Sequence, residues 1–233
     1  MIAAAPPPDR RQAIKYRHRQ AIVDAAAALM EERGSARFTV DELAERADVS
    51  RRTVFNHFTS LDEVVVMAAA ELLGHIVDEL ATQFDDNTGE RSLLEQMAAV
   101  TRAEQTVPTM ARLVRLLGGE GCELAHHEID LAQRAFSLLY ERITEIILCA
   151  DNGLDTFQSQ LLTVTFTSGS FHLFRRWSTE TGAVDTLESR QLWDELLAQL
   201  VDLLRDGEAN SHVPAIRTST TSTRPLHTES ETS

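Results

Sequence analysis

No apolar run in this 233-residue chain reaches membrane-spanning length, and its start lacks the apolar core of a secretory signal. Cysteine is nearly absent: Cys122 and Cys149 cannot build a disulfide framework. Together these absences argue against membrane and disulfide-scaffold classes, and they lead us to expect a cytoplasmic protein with no membrane partner. Enzyme signatures are missing as well. There is no phosphate-binding glycine loop, no nucleophile elbow and no paired-cysteine zinc pattern. The expectation is a non-enzyme without a cofactor. Cys122, His126, His127 and Glu128 lie close in sequence, and on one long helix from about Glu123 to Ala150 some of them would share a face. A closed metal site needs three or four converging ligands, so no metal is expected.

Positive charge is the other scarcity. The net charge is −14, which looks wrong for a nucleic-acid binder until the chain is divided. Residues 1–60 hold ten Lys/Arg against eight Asp/Glu, whereas residues 61–233 hold twelve against twenty-eight. Basic character gathers near the start, above all in Arg10, Arg11, Lys15, Arg17 and Arg19. An acidic body repels DNA and leaves the N-terminal part as the docking face.

What stands in that part is a patterned run from Thr39 to Phe58. Thr39 with Glu42 three residues later forms a capping box, so a helix begins there. Val40, Leu43 and Ala44 share one face, while Asp41, Glu42, Glu45 and Arg46 lie outside. Asp48 falls at a turn, Val49 plugs the angle between two helices, and Ser50 caps the second. In that second helix Val54 and Phe58 point inward. Arg51, Arg52, Thr53, Phe55, Asn56 and His57 are left facing outward. Arginine pairs with guanine or phosphate, asparagine with adenine, and an apolar ring with the thymine methyl. Ser50 and Thr53, at the positive end of the helix, suit a phosphate. The spacing therefore predicts a helix-turn-helix whose second helix enters the major groove of double-stranded DNA.

Residues 19 to 66 resemble the head of the tetracycline-repressor (TetR) family of bacterial transcriptional regulators. The resemblance rests on Ile22, Ala25, Ala26, Leu29 and Gly34, then on Thr39, Leu43, Ala44, Ala47, Val49, Ser50, Thr53, Phe55 and Phe58, and on the run from Leu61 to Val65. It covers about a fifth of the chain. Asp48 stands where the family usually has glycine, Phe55 where tyrosine is common, and Leu61 where lysine is usual. The last two replacements remove contacts to phosphate.

The expected architecture is all-α, with a three-helix DNA-binding head and a larger helical ligand-binding and dimerisation domain. We divide it into a basic arm or helix extension (1–18), the helix-turn-helix domain (19–60), an effector-binding and dimerisation domain (61–207) and a disordered Ser/Thr/Glu-rich tail (208–233). A helix from Leu61 to about Phe84, roughly 36 Å long, should link the head to the rest. Helices are expected from about Arg91 to Gln105, from Pro108 to Gly118, and at Phe157 to Trp177 and Leu187 to Leu204. The segment Phe157 to Trp177 is apolar on nearly every side and must be buried on two. In the last helix Trp193, Leu197, Leu200 and Leu204 form a seam, with Leu192, Leu196 and Leu203 as a second stripe. The resemblance implies that these two helices form a four-helix bundle with a second copy, making a homodimer on a palindromic operator.

The same resemblance implies a small-molecule effector inside the larger domain. Polar candidates to line its site are His75, Thr101, Gln105, Arg112, Thr165 and Ser168, with Met97, Met110, Phe136 and Phe166 as apolar walls. Arg17, Arg19 and Thr39 join the outward residues of the second helix as DNA-binding candidates. The function expected is a regulator, a repressor released by its effector. A DNA-binding regulator without a ligand, acting through protein partners, is the alternative.

Overall fold

A computed structural model describes residues 10–86, 92–118, 124–149 and 154–210, and these form helices joined by short turns. The helices are α1 (Arg10–Arg33), α2 (Val40–Arg46), α3 (Arg51–His57), α4 (Leu61–Asp86), α5 (Leu93–Thr101), α6 (Thr106–Gly118), α7 (His126–Cys149), α8 (Thr156–Thr181) and α9 (Leu187–Asn210). No strand occurs among the described residues. Residues 1–9, 87–91, 119–123, 150–153 and 211–233 lie outside the described residues.

The basic stretch before Arg19 is helical and continues α1 from Arg10. The helix stops where the sequence requires it. Gly34 takes a left-handed φ of 59°, its N–H donates to the Glu31 carbonyl, and the Ser35 N–H donates to that of Met30. This double closure satisfies carbonyls the helix would otherwise leave open. The head then packs on itself. Ile22, Ala26, Met30, Leu43, Val54 and Phe58 are each buried and share one core. Truncating Phe58 to alanine in such a core costs about 3–5 kcal/mol.

Two elements differ from the expected boundaries. The helix placed at 91–105 is shorter: Ser92 caps α5, with Glu95 closing a capping box, and Arg102 ends it. The helix expected from Glu123 begins instead at His126, and Cys122 and Glu123 lie outside the described residues.

In the body, α4 packs along α7, α7 against α8, and α8 against α9, while α5 and α6 close the space between α4 and α9. Aromatic rings run through this core from Phe136 to Phe171, Phe174, Trp177 and Trp193. The polar edges of both tryptophans are satisfied. Trp177 Nε1 donates to Ser189 Oγ at 2.9 Å, and Trp193 Nε1 donates to the Thr101 carbonyl at 2.9 Å, pinning α9 to the end of α5. Glycine matters at one crossing. A Cβ on Gly169 would lie 2.7 Å from Leu200 Cδ1, so its absence lets α8 and α9 approach closely.

Candidate DNA interface and effector cavity

The turn of the helix-turn-helix is built as its residues demand. Thr39 and Glu42 make the reciprocal capping box of α2, and the Ser50 hydroxyl accepts from the Thr53 N–H at 3.0 Å to cap α3. Asp48 adopts φ 51°, the left-handed conformation that a sharp turn needs and that aspartate tolerates better than most residues. Ala44 is buried, and its carbonyl accepts from the Val49 N–H at 3.0 Å as the chain reverses. Ion pairs tie the three helices from outside: Arg33 holds Glu42 at 2.6 Å, Arg46 pairs with Glu32, and Arg51 with Asp41.

On α3 the structure separates the candidates into three groups. Arg52, Asn56 and Phe55 are exposed, the ring of Phe55 at 55%, and form an open surface of guanidinium, amide and aromatic ring. Arg51, Ser50, Thr53 and Thr39 are already engaged. Arg51 is held by Asp41, the Ser50 and Thr53 hydroxyls lie 2.8 Å apart, and the Thr39 hydroxyl donates to Glu42 at 2.9 Å. Arg19 and His57 do not face outward as the sequence suggested. The Arg19 guanidinium lies 4.3 Å over the Phe58 ring, and its Nη1 donates to the His57 carbonyl at 2.8 Å. His57 is half-buried, with its ring against the edge of His18, and burial with neighbouring His18, Lys15 and Arg19 charge holds its pKa below the usual imidazole value. The reason is geometric: as the last residue of a seven-residue helix, His57 turns back toward α1. Arg17 is exposed on α1. His18 went unnoticed in the sequence because only the meeting of α1 with the end of α3 gives it a partner.

Behind the head lies a narrow cavity of about 50 Å³ lined by residues of α4 to α9. Met97, Thr101, Met110, Phe136 and Phe166 line it, as the sequence suggested. The other candidates do not. Gln105 is exposed in the turn between α5 and α6. Arg112 faces away and pairs with Glu31 of α1 at 2.6 Å. Thr165 is exposed, its hydroxyl donating to the Leu161 carbonyl, and Ser168 lines a separate outer cleft between α7 and α8. The His75 side chain lies outside the described residues. In their place the cavity recruits Thr106, Thr167, Ser170 and Trp193, together with Leu73 of the linking helix.

No metal-like cluster of three His, Cys, Asp or Glu side chains occurs among the described residues. His126 and His127 are exposed, and His127 Nε2 lies 3.5 Å from Asp62 Oδ1. The Cys149 side chain lies outside the described residues. No helix among them is long and apolar enough to cross a membrane.

A helix-turn-helix with an open guanidinium, amide and aromatic face, mounted on a larger helical body, defines a DNA-binding transcriptional regulator. Residues 22–74, the head and the start of α4, match the model of the bacterial regulatory proteins of the tetR family. The chain is 24% identical over 186 residues to the HTH-type transcriptional regulator TtgR of Pseudomonas putida, covering 75% of this chain and 87% of that one. Among solved structures it is similar to FadR of Thermus thermophilus, a TetR-family transcriptional repressor in complex with lauroyl-CoA. That likeness has 25% identity and a TM-score of 0.57, over 84% of this chain and 98% of that one. The fold is also shared with the TetR family repressor AlkX from Dietzia, at 16% identity and a TM-score of 0.54, over 80% of this chain and 97% of that one.

Proposed function

We propose that this regulator is a homodimeric repressor, held on a palindromic operator by its two α3 helices and released by a small-molecule effector in the body. The observation that carries the reading is the double duty of α4. It begins at Leu61, three residues after Phe58 closes α3, and twelve residues later places Leu73 in the cavity wall. An occupant that displaces Leu73 would therefore shift the helix on which the head is mounted. FadR in complex with lauroyl-CoA supports the idea that a body of this type accommodates a small molecule. Such an effector acts only through unequal affinity for the two arrangements, and a hundredfold release requires about 2.7 kcal/mol of coupling.

Dimerisation is supported by α8. Phe157, Leu161 and Val164 recur at helical spacing on it and are exposed at 69%, 52% and 39% in the single chain. A stripe of that kind on a surface helix suits burial against a second copy. Two heads would then enter successive major grooves, roughly 34 Å apart. The purified protein should select short palindromic fragments from its source genome at both low and high salt. Binding that vanishes at higher salt without a preferred site would reduce the interaction to backbone contact and sink the reading.

A further inference from the structure

Four threonine hydroxyls of α8 are spent within the helix itself. Thr163, Thr165, Thr179 and Thr181 each donate to the carbonyl four residues earlier, at 2.7, 2.7, 3.0 and 2.7 Å. Thr167 and Ser170 do not. Their side-chain oxygens are buried without a hydrogen-bond partner, in residues only 8% and 7% exposed, and both residues line the cavity. Three positions apart on a helix, they present their hydroxyls on one face.

The remaining polar groups of the wall are already used. The Thr101 hydroxyl donates to the Met97 carbonyl, the Thr106 hydroxyl to that of Val100, and the Trp193 N–H to that of Thr101. None of the described lining residues carries a formal charge. A charged group brought here would lose its hydration without gaining a counter-ion. A purely apolar occupant would leave both hydroxyls desolvated and unpaired, the costly half of hydrogen-bond energetics.

We infer that the cavity selects a compact, uncharged, mainly apolar molecule bearing one hydrogen-bonding group, which the Thr167 and Ser170 hydroxyls receive. The inference rests on the effector reading above and supplies its ligand class. The resting cavity holds few heavy atoms, and the unbranched thioethers of Met97 and Met110 are the wall elements best able to make room.

The test uses the full-length protein and three probes on one ring: p-cresol, p-xylene and p-toluate. Binding is read by tryptophan fluorescence, because Trp193 lines the cavity, and by melting temperature. The expected order is p-cresol about tenfold tighter than p-xylene, as one well-made hydrogen bond provides, with p-toluate not binding. Thr167→Val combined with Ser170→Ala should erase the preference for p-cresol. Neither change removes a hydrogen bond within the protein, and Ser170→Ala alone should halve the preference if the double variant folds poorly. Equal affinity for p-cresol and p-xylene would overturn the inference. So would a preference that survives both substitutions, comparable binding of p-toluate, or no binding by any probe. Operator affinity measured on the same samples separates the two readings. Selective p-cresol binding that leaves the operator bound would keep the ligand class and sink the effector reading. Unselective binding that releases the operator would do the reverse.

Discussion

The Arg112 guanidinium on α6 meets the Glu31 carboxylate near the end of α1 at 2.6 Å, joining body to head across 81 residues of sequence. The same helix places Thr106 and Met110 in the cavity wall. Head and cavity are therefore connected by a surface ion pair as well as by α4.

That pair is half-exposed at both ends, so its contribution to stability should be small. A double-mutant cycle with Arg112→Ala and Glu31→Ala should give a coupling of about 0.2–1 kcal/mol in urea unfolding, shrinking at high salt. A coupling well above 2 kcal/mol would mean that the pair is more shielded than its exposure indicates.

Arg19 and Arg52 should fail in different ways. Arg52→Ala or Asn56→Ala removes an exposed group and should relax operator preference while leaving stability within about 0.5 kcal/mol of the wild type. Arg19→Ala removes both the contact over Phe58 and the bond to the His57 carbonyl, and should lower head stability by about 1–2 kcal/mol. Thermal unfolding beside a binding assay distinguishes them, and an Arg19→Ala protein of unchanged melting temperature would contradict the assignment.

Asp48 at φ 51° occupies a conformation that glycine adopts freely. Asp48→Gly should therefore stabilise the protein by about 0.5–1 kcal/mol, whereas Asp48→Val should destabilise it by about 1–2 kcal/mol. Melting curves of the two variants, moving in opposite directions from the wild type, would settle the point.

Acid should loosen the junction of α1 and α2. The Arg33 guanidinium, helped by the backbone and hydroxyl of Thr39, lowers the Glu42 pKa from 4.5 to about 2. A carboxylate with a depressed folded-state pKa stabilises the fold above its unfolded value, and that contribution is lost as pH falls from about 4.5 towards 2. The difference in melting temperature between wild type and Glu42→Gln should be largest near neutral pH and shrink across that window. A difference independent of pH would show that the pair contributes nothing to stability.

Leu161→Glu places a charge in the exposed stripe of α8 without disturbing the core. Sedimentation should show a monomer that keeps its helical content and binds the operator at least tenfold more weakly, since both heads must engage at once. A dimer of unaltered strength would move the interface elsewhere.

The head was legible because every local signal agreed. Capping box, turn residue, second cap and inward spacing all point to one arrangement, and Val54 and Phe58 are buried where their phase requires. The cavity was only half legible. Thr101 lines it as expected, but on α8 the sequence points to Thr165 and Ser168, while Thr167 and Ser170 are the hydroxyl residues that line it. Residues two apart on a helix lie about 200° apart, so this small shift in number changes the face. Because α8 carries apolar residues on nearly every side, its pattern holds no phase with which to choose.

Arg112 and Arg19 teach the same lesson from the surface. Composition marks a guanidinium as able to bind phosphate, carboxylate or ring, and only the tertiary neighbours Glu31 and Phe58 decide which. What the sequence alone determined was short-ranged: helix starts and stops, the left-handed turn at Asp48, and the basic head set against an acidic body. Those follow from backbone sterics and from charge, which act within a few residues or do not depend on packing. The partners of Arg19, Arg51 and Arg112, the lining of the cavity and the two hydroxyls left unpaired in it were decided by how the helices cross. Side-chain rotation about each helix axis is set by contacts between segments far apart in the chain, and no local pattern encodes those contacts.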